Sequence, residues 1–111
     1  MESISVSLRS KATLEDLIET WRKYRGLPQE RGLPSAPKHP IVVRDERDRP
    51  QPKFDLNTEH GMATVIGRAR ACPVLQFKYT ALSHNTIRGA AGAALLNAEL
   101  MKSEGYLTLI I

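Results

Sequence analysis

A single cysteine, Cys72, among 111 residues excludes an intrachain disulfide and leaves no thiolate-rich metal centre to consider. The three histidines, His39, His60 and His84, follow no ligand spacing, so no metal site is expected. Aromatic residues are as scarce: three tyrosines, two phenylalanines and one tryptophan leave little with which to stack nucleic-acid bases. The formal charge of +4 also arises without a basic block, since arginines alternate with acids in Arg44-Asp45-Glu46-Arg47-Asp48-Arg49. Such a pattern is a solvated mixed-charge surface rather than a nucleic-acid groove. No apolar run approaches the roughly 18 residues of a membrane span, and the leading MESISVSLRSK has no apolar signal-peptide core. The expected location is the reducing cytoplasm, without membrane or nucleic-acid partners. G-x-G-x-x-G, Walker A and G-x-S-x-G patterns are absent as well.

What is present reads as one small domain of alternating strands and helices. Ile4, Val6 and Leu8 alternate with serines and Arg9, the period of a strand with one buried face. Thr13 is a candidate N-cap, with Asp16 three residues later in a weak capping box, and Leu14, Leu17, Ile18, Trp21 and Tyr24 follow at helical spacing. Trp21 shares the leucine stripe and so reads as core. Gly26 and Pro28 end that helix, and four prolines between Gly26 and Pro40 predict an extended loop. Ile41-Val42-Val43 reads as a short buried strand. Arg44 to Asp55, with high charge and Pro50 and Pro52, would by itself pass for a flexible linker. Met62 to Arg70 and Val74 to Leu82 read as two strands of an antiparallel hairpin around Ala71-Cys72-Pro73, with Leu75, Phe77, Tyr79 and Ala81 on the buried face.

The stretch from Ser83 to Leu100 stands apart. From Gly89 to Ala94 no side chain exceeds a methyl group, and each of Gly89 and Gly92 would cost a helix about 1 kcal/mol relative to alanine. Small residues let a helix pack tightly on a sheet; the alternative is a ligand-facing N-terminus, since Ser83, Asn85 and Thr86 are all good caps. The helix would end near Gly105, and the apolar tail 106–111 reads as either a last strand or an exposed end. Cys72 and His84 would lie at opposite ends of one strand, about 30 Å apart by strand rise, which rules against a nucleophile and base pair. Cys72 also has no evident basic neighbour to lower its pKa.

The blocks SHNTIRGAAGAALLNAEL, LPSAPKHPIVVRDERDRPQPKFD and GMATVIGRARACPVLQFKYTAL together resemble the C-terminal part of the aspartate-semialdehyde dehydrogenase family, of archaeal and fungal type, in the family's order and to about Gly105. The resemblance implies an α+β fold: a mixed or antiparallel sheet with flanking helices, part of a glyceraldehyde-phosphate-dehydrogenase-like C-terminal domain. Residues 1–111 would be part of the dimerisation domain, with Arg44 to Asp55 an ordered excursion meeting a partner subunit. Residues 84–104 would be the helix that packs on an NADP-binding domain this chain does not contain. The implied chemistry is NADPH-dependent reduction of aspartyl phosphate to aspartate semialdehyde, on the route to lysine, methionine and threonine, through a cysteine thioester with a histidine as acid and base. In relatives the nucleotide loop and that cysteine lie in the N-terminal half, and the histidine just before the strand that ESISVSL resembles, so no catalytic residue is expected and the chain alone should be inactive. Asn85, and after it Thr86, match residues beside the nicotinamide end of NADP. The Asn85 amide suits the carboxamide, and a simple N-cap is its other reading. Arg88 reads as structural, and Gly89 and Gly92 as permitting close approach. The implied partners are a second copy or an intact dehydrogenase subunit. The alternatives are a non-enzymatic module pairing with such a subunit and a piece of a malonyl-CoA reductase paralogue.

Overall fold

In the computed structural model, which describes residues 1–108, the alternation of Ile4 and Val6 with serines becomes β1 (Glu2–Val6). Thr13 caps α1 (Leu14–Lys23) as its spacing predicts: the Asp16 N–H donates to Thr13 Oγ1 at 3.1 Å and the Thr13 N–H donates to Asp16 Oδ2 at 2.9 Å. Those two bonds satisfy donors that a helix start leaves free. They also hold the Asp16 carboxyl below its ordinary pKa, the Thr13 backbone N–H first among the causes.

The Gly26–Pro40 stretch departs from its extended reading. A helical turn, α2 (Leu27–Glu30), forms there, because Pro28 falls in a first turn where its missing N–H is not needed. Gln29 then binds both sides of the loop, accepting from the Gly26 N–H and donating to the Pro37 carbonyl, each at 2.9 Å. β2 (Ile41–Val43) is as expected in place, but half-buried, because it is the edge of the sheet.

β3 (Thr64–Ala71) and β4 (Phe77–Leu82) form the antiparallel hairpin, β1 adds antiparallel to β4, and β2 adds parallel to β3, in the order β1-β4-β3-β2. The sheet is therefore mixed. Pairing of Ile4 with Tyr79, Ala81 with Ile66 and Ile66 with Val43 gathers these five side chains on one face. α1 covers that face, with Trp21 edge-on to Tyr79 at 4.7 Å between centroids. Val74 and Leu75 lie before β4 rather than in it and are exposed, so Leu75 is not on the buried face.

The charged segment after β2 is ordered, not a linker. It carries α3 (Pro52–Asp55), and the Asp55 carboxylate is wholly buried, accepting from Arg49 Nε at 2.7 Å, Arg44 Nε at 3.1 Å and the Gln51 N–H at 2.7 Å. Bonding to Arg49 is the main reason its pKa falls to about 2. The same segment lies on Gly67 of β3, where a Cβ would meet the Arg49 carbonyl and come within 2.7 Å of Pro50 Cδ. Only glycine admits that approach.

A second, smaller core joins Leu33, Met62 and Leu96, flanked by Ala36, Ile87 and Leu100. It fixes the C-terminal helix α4 (Gly92–Ser103) to the Pro-rich loop, with Ser35 Oγ donating to Glu99 Oε1 at 2.6 Å. The molecule is elongated, 59 × 34 × 19 Å, with a radius of gyration of 16.1 Å against the ~13 Å of a compact chain this long. Tyr106, Leu107 and Thr108 are exposed and outside any strand; residues 109–111, the rest of the tail reading, lie outside the described residues.

Candidate functional site

The chain leaves β4 at Leu82 and turns at Ser83-His84 into a wide helical turn, Ile87–Ala91, that leads directly into α4. The turn is of the π type: the Gly89 N–H donates to the His84 carbonyl at 2.9 Å and the Ala91 N–H to the Thr86 carbonyl at 3.0 Å, each five residues back. Turns of this kind recur at functional sites because they re-aim backbone and side chains without ending the helix.

The cap is not one of the three residues that composition favours. Thr86 immediately precedes the turn without a side-chain capping bond, and it is His84 whose Nδ1 accepts the Ile87 N–H, at 3.1 Å. Histidine ranks low as a cap, so propensity could not select it; the Gly61 turn beneath it does, packing within reach of the His84 ring and Ile87. Because His84 takes the capping role, the Asn85 amide makes no hydrogen bond within the described residues and is exposed.

Asn85 and Gly89 line an open hollow of about 460 Å³, together with Thr64, Ala81, Ser83 and His84. Thr86 is exposed beside it, its Oγ1 3.3 Å from His84 Nδ1, but does not line it. The two residues singled out from sequence are thus adjacent on the surface, and one of them faces the cavity.

The two glycines of the turn differ. At Gly92 a Cβ would strike Met62 Sδ and lie 2.8 Å from the Ile87 carbonyl oxygen, so its absence is required by the chain's own packing. At Gly89 the nearest atom would be the His84 carbonyl oxygen at 3.5 Å, an ordinary contact. Nothing within this chain demands a glycine there. Beyond the turn α4 is bare on its outer side: Ala94, Leu95, Ala98 and Met101 are exposed and only Leu96 is buried.

On the other side of the turn, Glu59 and His60 both adopt left-handed backbone angles, φ +52° and +57°. Glu59 is held by the Lys38 N–H and His39 Nδ1, each at 3.1 Å. Its carboxyl lies below the ordinary range, the bonds from His39 and Lys38 outweighing burial, which is the largest single influence and raises it. Sequence reading missed this turn; the Asn57 and Gly61 that bracket it were its only local signal.

Cys72 and His84 sit beyond opposite ends of β4 and form no pair. The thiol is nevertheless perturbed, although no basic neighbour in sequence suggests it. The N–H groups of Leu75 and Val74 lower its pKa, with smaller help from the Ser5 hydroxyl and Lys78, which the sheet brings alongside. Among the described residues no three His, Cys, Asp or Glu side chains converge, and no helix is long and apolar enough to cross a membrane.

Residues 1–88 match the family model for the semialdehyde dehydrogenase dimerisation domain. The chain belongs to that family. Among relatives, the aspartate-semialdehyde dehydrogenase of Methanothermobacter thermautotrophicus is 46% identical over 102 residues, 90% of this chain and 29% of that protein. A malonyl-CoA reductase (NADP) of Metallosphaera sedula is 36% identical over 104 residues, 92% of this chain and 29% of that protein. The crystal structure of aspartate-semialdehyde dehydrogenase with NADP from Candida albicans superposes with a TM-score of 0.84 at 38% identity, covering 95% of this chain and 30% of that one. The chain therefore spans a little under a third of the length of the semialdehyde dehydrogenases it matches. The mixed sheet with flanking helices is their C-terminal fold, and the family match ends at Arg88, within the π turn.

Proposed function

We propose that this chain supplies the dimerisation domain and the cofactor-facing helix of an NADP-dependent aspartate-semialdehyde dehydrogenase, whose whole form reduces aspartyl phosphate to aspartate semialdehyde. The observation that carries the proposal is the contrast at the π turn: Gly92 is explained by contacts within the chain, whereas Gly89 is not, and Gly89 shares its hollow with an unpartnered Asn85 amide. A bare backbone beside a free amide fits a flat carboxamide, with the Asn85 amide donating to its oxygen and accepting from its nitrogen. NADP, when bound, supplies the hydride. Asn85 orients the ring end of the cofactor, Thr86 flanks it, and the uncovered side of α4 meets the nucleotide-binding domain. The chain contributes no nucleophile and no acid or base, so alone it serves assembly. Its partner is a second dehydrogenase subunit, and the compartment is the cytoplasm.

A chimera tests this reading. The matching segment of the Methanothermobacter relative is replaced by this chain, and NADP-dependent oxidation of aspartate semialdehyde with phosphate is assayed. The chimera is expected to turn over and to dimerise, and Asn85→Ala is expected to raise KM for NADP about tenfold, the loss of one or two hydrogen bonds. An unchanged KM in a folded variant removes Asn85 from the cofactor site. Turnover by the 111-residue chain alone would overturn the whole reading.

The second reading, a module of a malonyl-CoA reductase, rests on the Metallosphaera relative and its lower identity. Assay of the intact protein with both acyl substrates separates the two.

A further inference from the structure

Three arginines near the sheet have carboxylate partners. Arg44 and Arg49 are committed to Asp55, and Arg22 holds Asp45. Arg47, Arg68 and Arg70 have none among the described residues: Arg68 Nη1 donates to the Arg47 carbonyl at 2.7 Å, Arg70 Nη1 donates to the Arg68 carbonyl, and the Arg47 guanidinium makes no hydrogen bond. Each guanidinium carries five donors, so most of their hydrogen-bonding capacity is unused. Bonding to one another's backbone holds three like charges together instead of letting them spread.

These three residues are the shared wall of two hollows, one of about 430 Å³ toward Ile18 and Val43 and one of about 300 Å³ toward Pro50 and Thr80. The acids that line the same hollows, Asp45, Glu46 and Asp48, offset them only in part. Asp45 pairs with Arg22 at 2.8 Å, Glu46 faces Arg44 at 3.8 Å, and Asp48 accepts from the Gln51 amide at 3.3 Å.

Backbone geometry points the same way. Arg68 has φ +58° at the β3 bulge, directly after Gly67, a conformation in which glycine is at ease and a long side chain is not. Strain of this sort clusters at functional sites.

We infer that Arg47, Arg68 and Arg70 form a binding site for a small phosphate-bearing anion at the β3 bulge. Guanidinium forks match phosphate oxygens in pairs, and three adjacent positive charges call for an anion of charge two or more. Concave walls of small-molecule size on both sides favour a compact ligand over an acidic protein segment, which needs a long open track. Inorganic phosphate and a diphosphate-bearing metabolite share this chemistry. The site is separate from the hollow at Asn85 and does not rest on the cofactor reading.

The test is titration of the chain in low-salt, phosphate-free buffer with inorganic phosphate, pyrophosphate and a short polyglutamate peptide, followed by calorimetry and amide chemical shifts. Saturable binding of phosphate or pyrophosphate is expected, with shifts centred on residues 47 and 68–70. The stronger of the two distinguishes free phosphate from a diphosphate ligand. Arg68→Gly removes the guanidinium while relaxing the backbone, so it is expected to keep or raise Tm and weaken binding about tenfold, the loss of one charge-assisted contact. Arg70→Gln, which leaves the bulge intact, is expected to weaken it similarly. Absence of saturable binding, unchanged affinity in both variants, or tighter binding of the peptide than of pyrophosphate would each overturn the assignment.

Discussion

Asp55 shows how much one side chain can organise. Its carboxylate, with no exposure, draws in Arg44, Arg49 and the Gln51 N–H, and so turns a stretch with the composition of a linker into a fixed arm lying on Gly67. Asp55→Asn leaves Arg49 partly buried without its carboxylate and Arg44 with only the longer contact to Glu46, and is expected to lower stability by about 2–3 kcal/mol. The pH dependence has a definite sign. The folded pKa, about 2, lies below the ordinary 3.8, so the contribution is fully present above pH ~4 and is lost as pH falls through about 2. Urea unfolding across pH 2–6 should show that loss in the native chain and a flatter profile in the variant; parallel profiles would mean that Asp55 is not the group responsible. None of this was legible beforehand. Alternating charges read as solvated because pairing and burial depend on which arginines the fold brings round, and sequence distance does not report that.

At the level of elements, the turn into α4 separates two glycines that composition treats alike. Gly92→Ala gains about 1 kcal/mol of helix propensity but forces a methyl group against Met62 and the Ile87 carbonyl, an overpacking of about 1–3 kcal/mol, so net destabilisation is expected. Gly89→Ala meets only ordinary contacts and is expected to be neutral or stabilising by up to about 1 kcal/mol. Thermal unfolding of the two variants decides the matter: equal shifts would show that both glycines answer to packing within the chain. α1 was readable down to its capping box because Thr13 and Asp16 are three residues apart and their bonds are local. The His84 cap was not, since it depends on Gly61 and Ile87 enclosing an imidazole from another part of the chain.

For the molecule as a whole, an elongated shape goes with a helix that is uncovered on one side. α4 is anchored through Leu96 alone among its buried residues and leaves Leu95 and Met101, 56% and 45% exposed, on its outer side. An apolar face of this kind on an elongated body promotes association. Sedimentation velocity on the purified chain is expected to show concentration-dependent oligomers, and Leu95→Glu with Met101→Lys to reduce them while leaving Tm nearly unchanged, since neither side chain is in a core. A wild-type chain that stays monomeric at about 100 μM, a concentration where even weak contacts near the micromolar range are populated, would count against an uncovered docking face.

Local patterns were enough, in the sequence alone, for β1, α1, the β3–β4 hairpin and membership of the dehydrogenase family, because period, caps and ordered motif blocks involve residues near one another in the chain. Tertiary structure decided the parallel pairing of β2, the ion-paired arm, the freeing of Asn85 by His84 and the gathering of three arginines at a bulge. Each of these depends on distant segments meeting, and so on burial and geometry that no window of sequence contains.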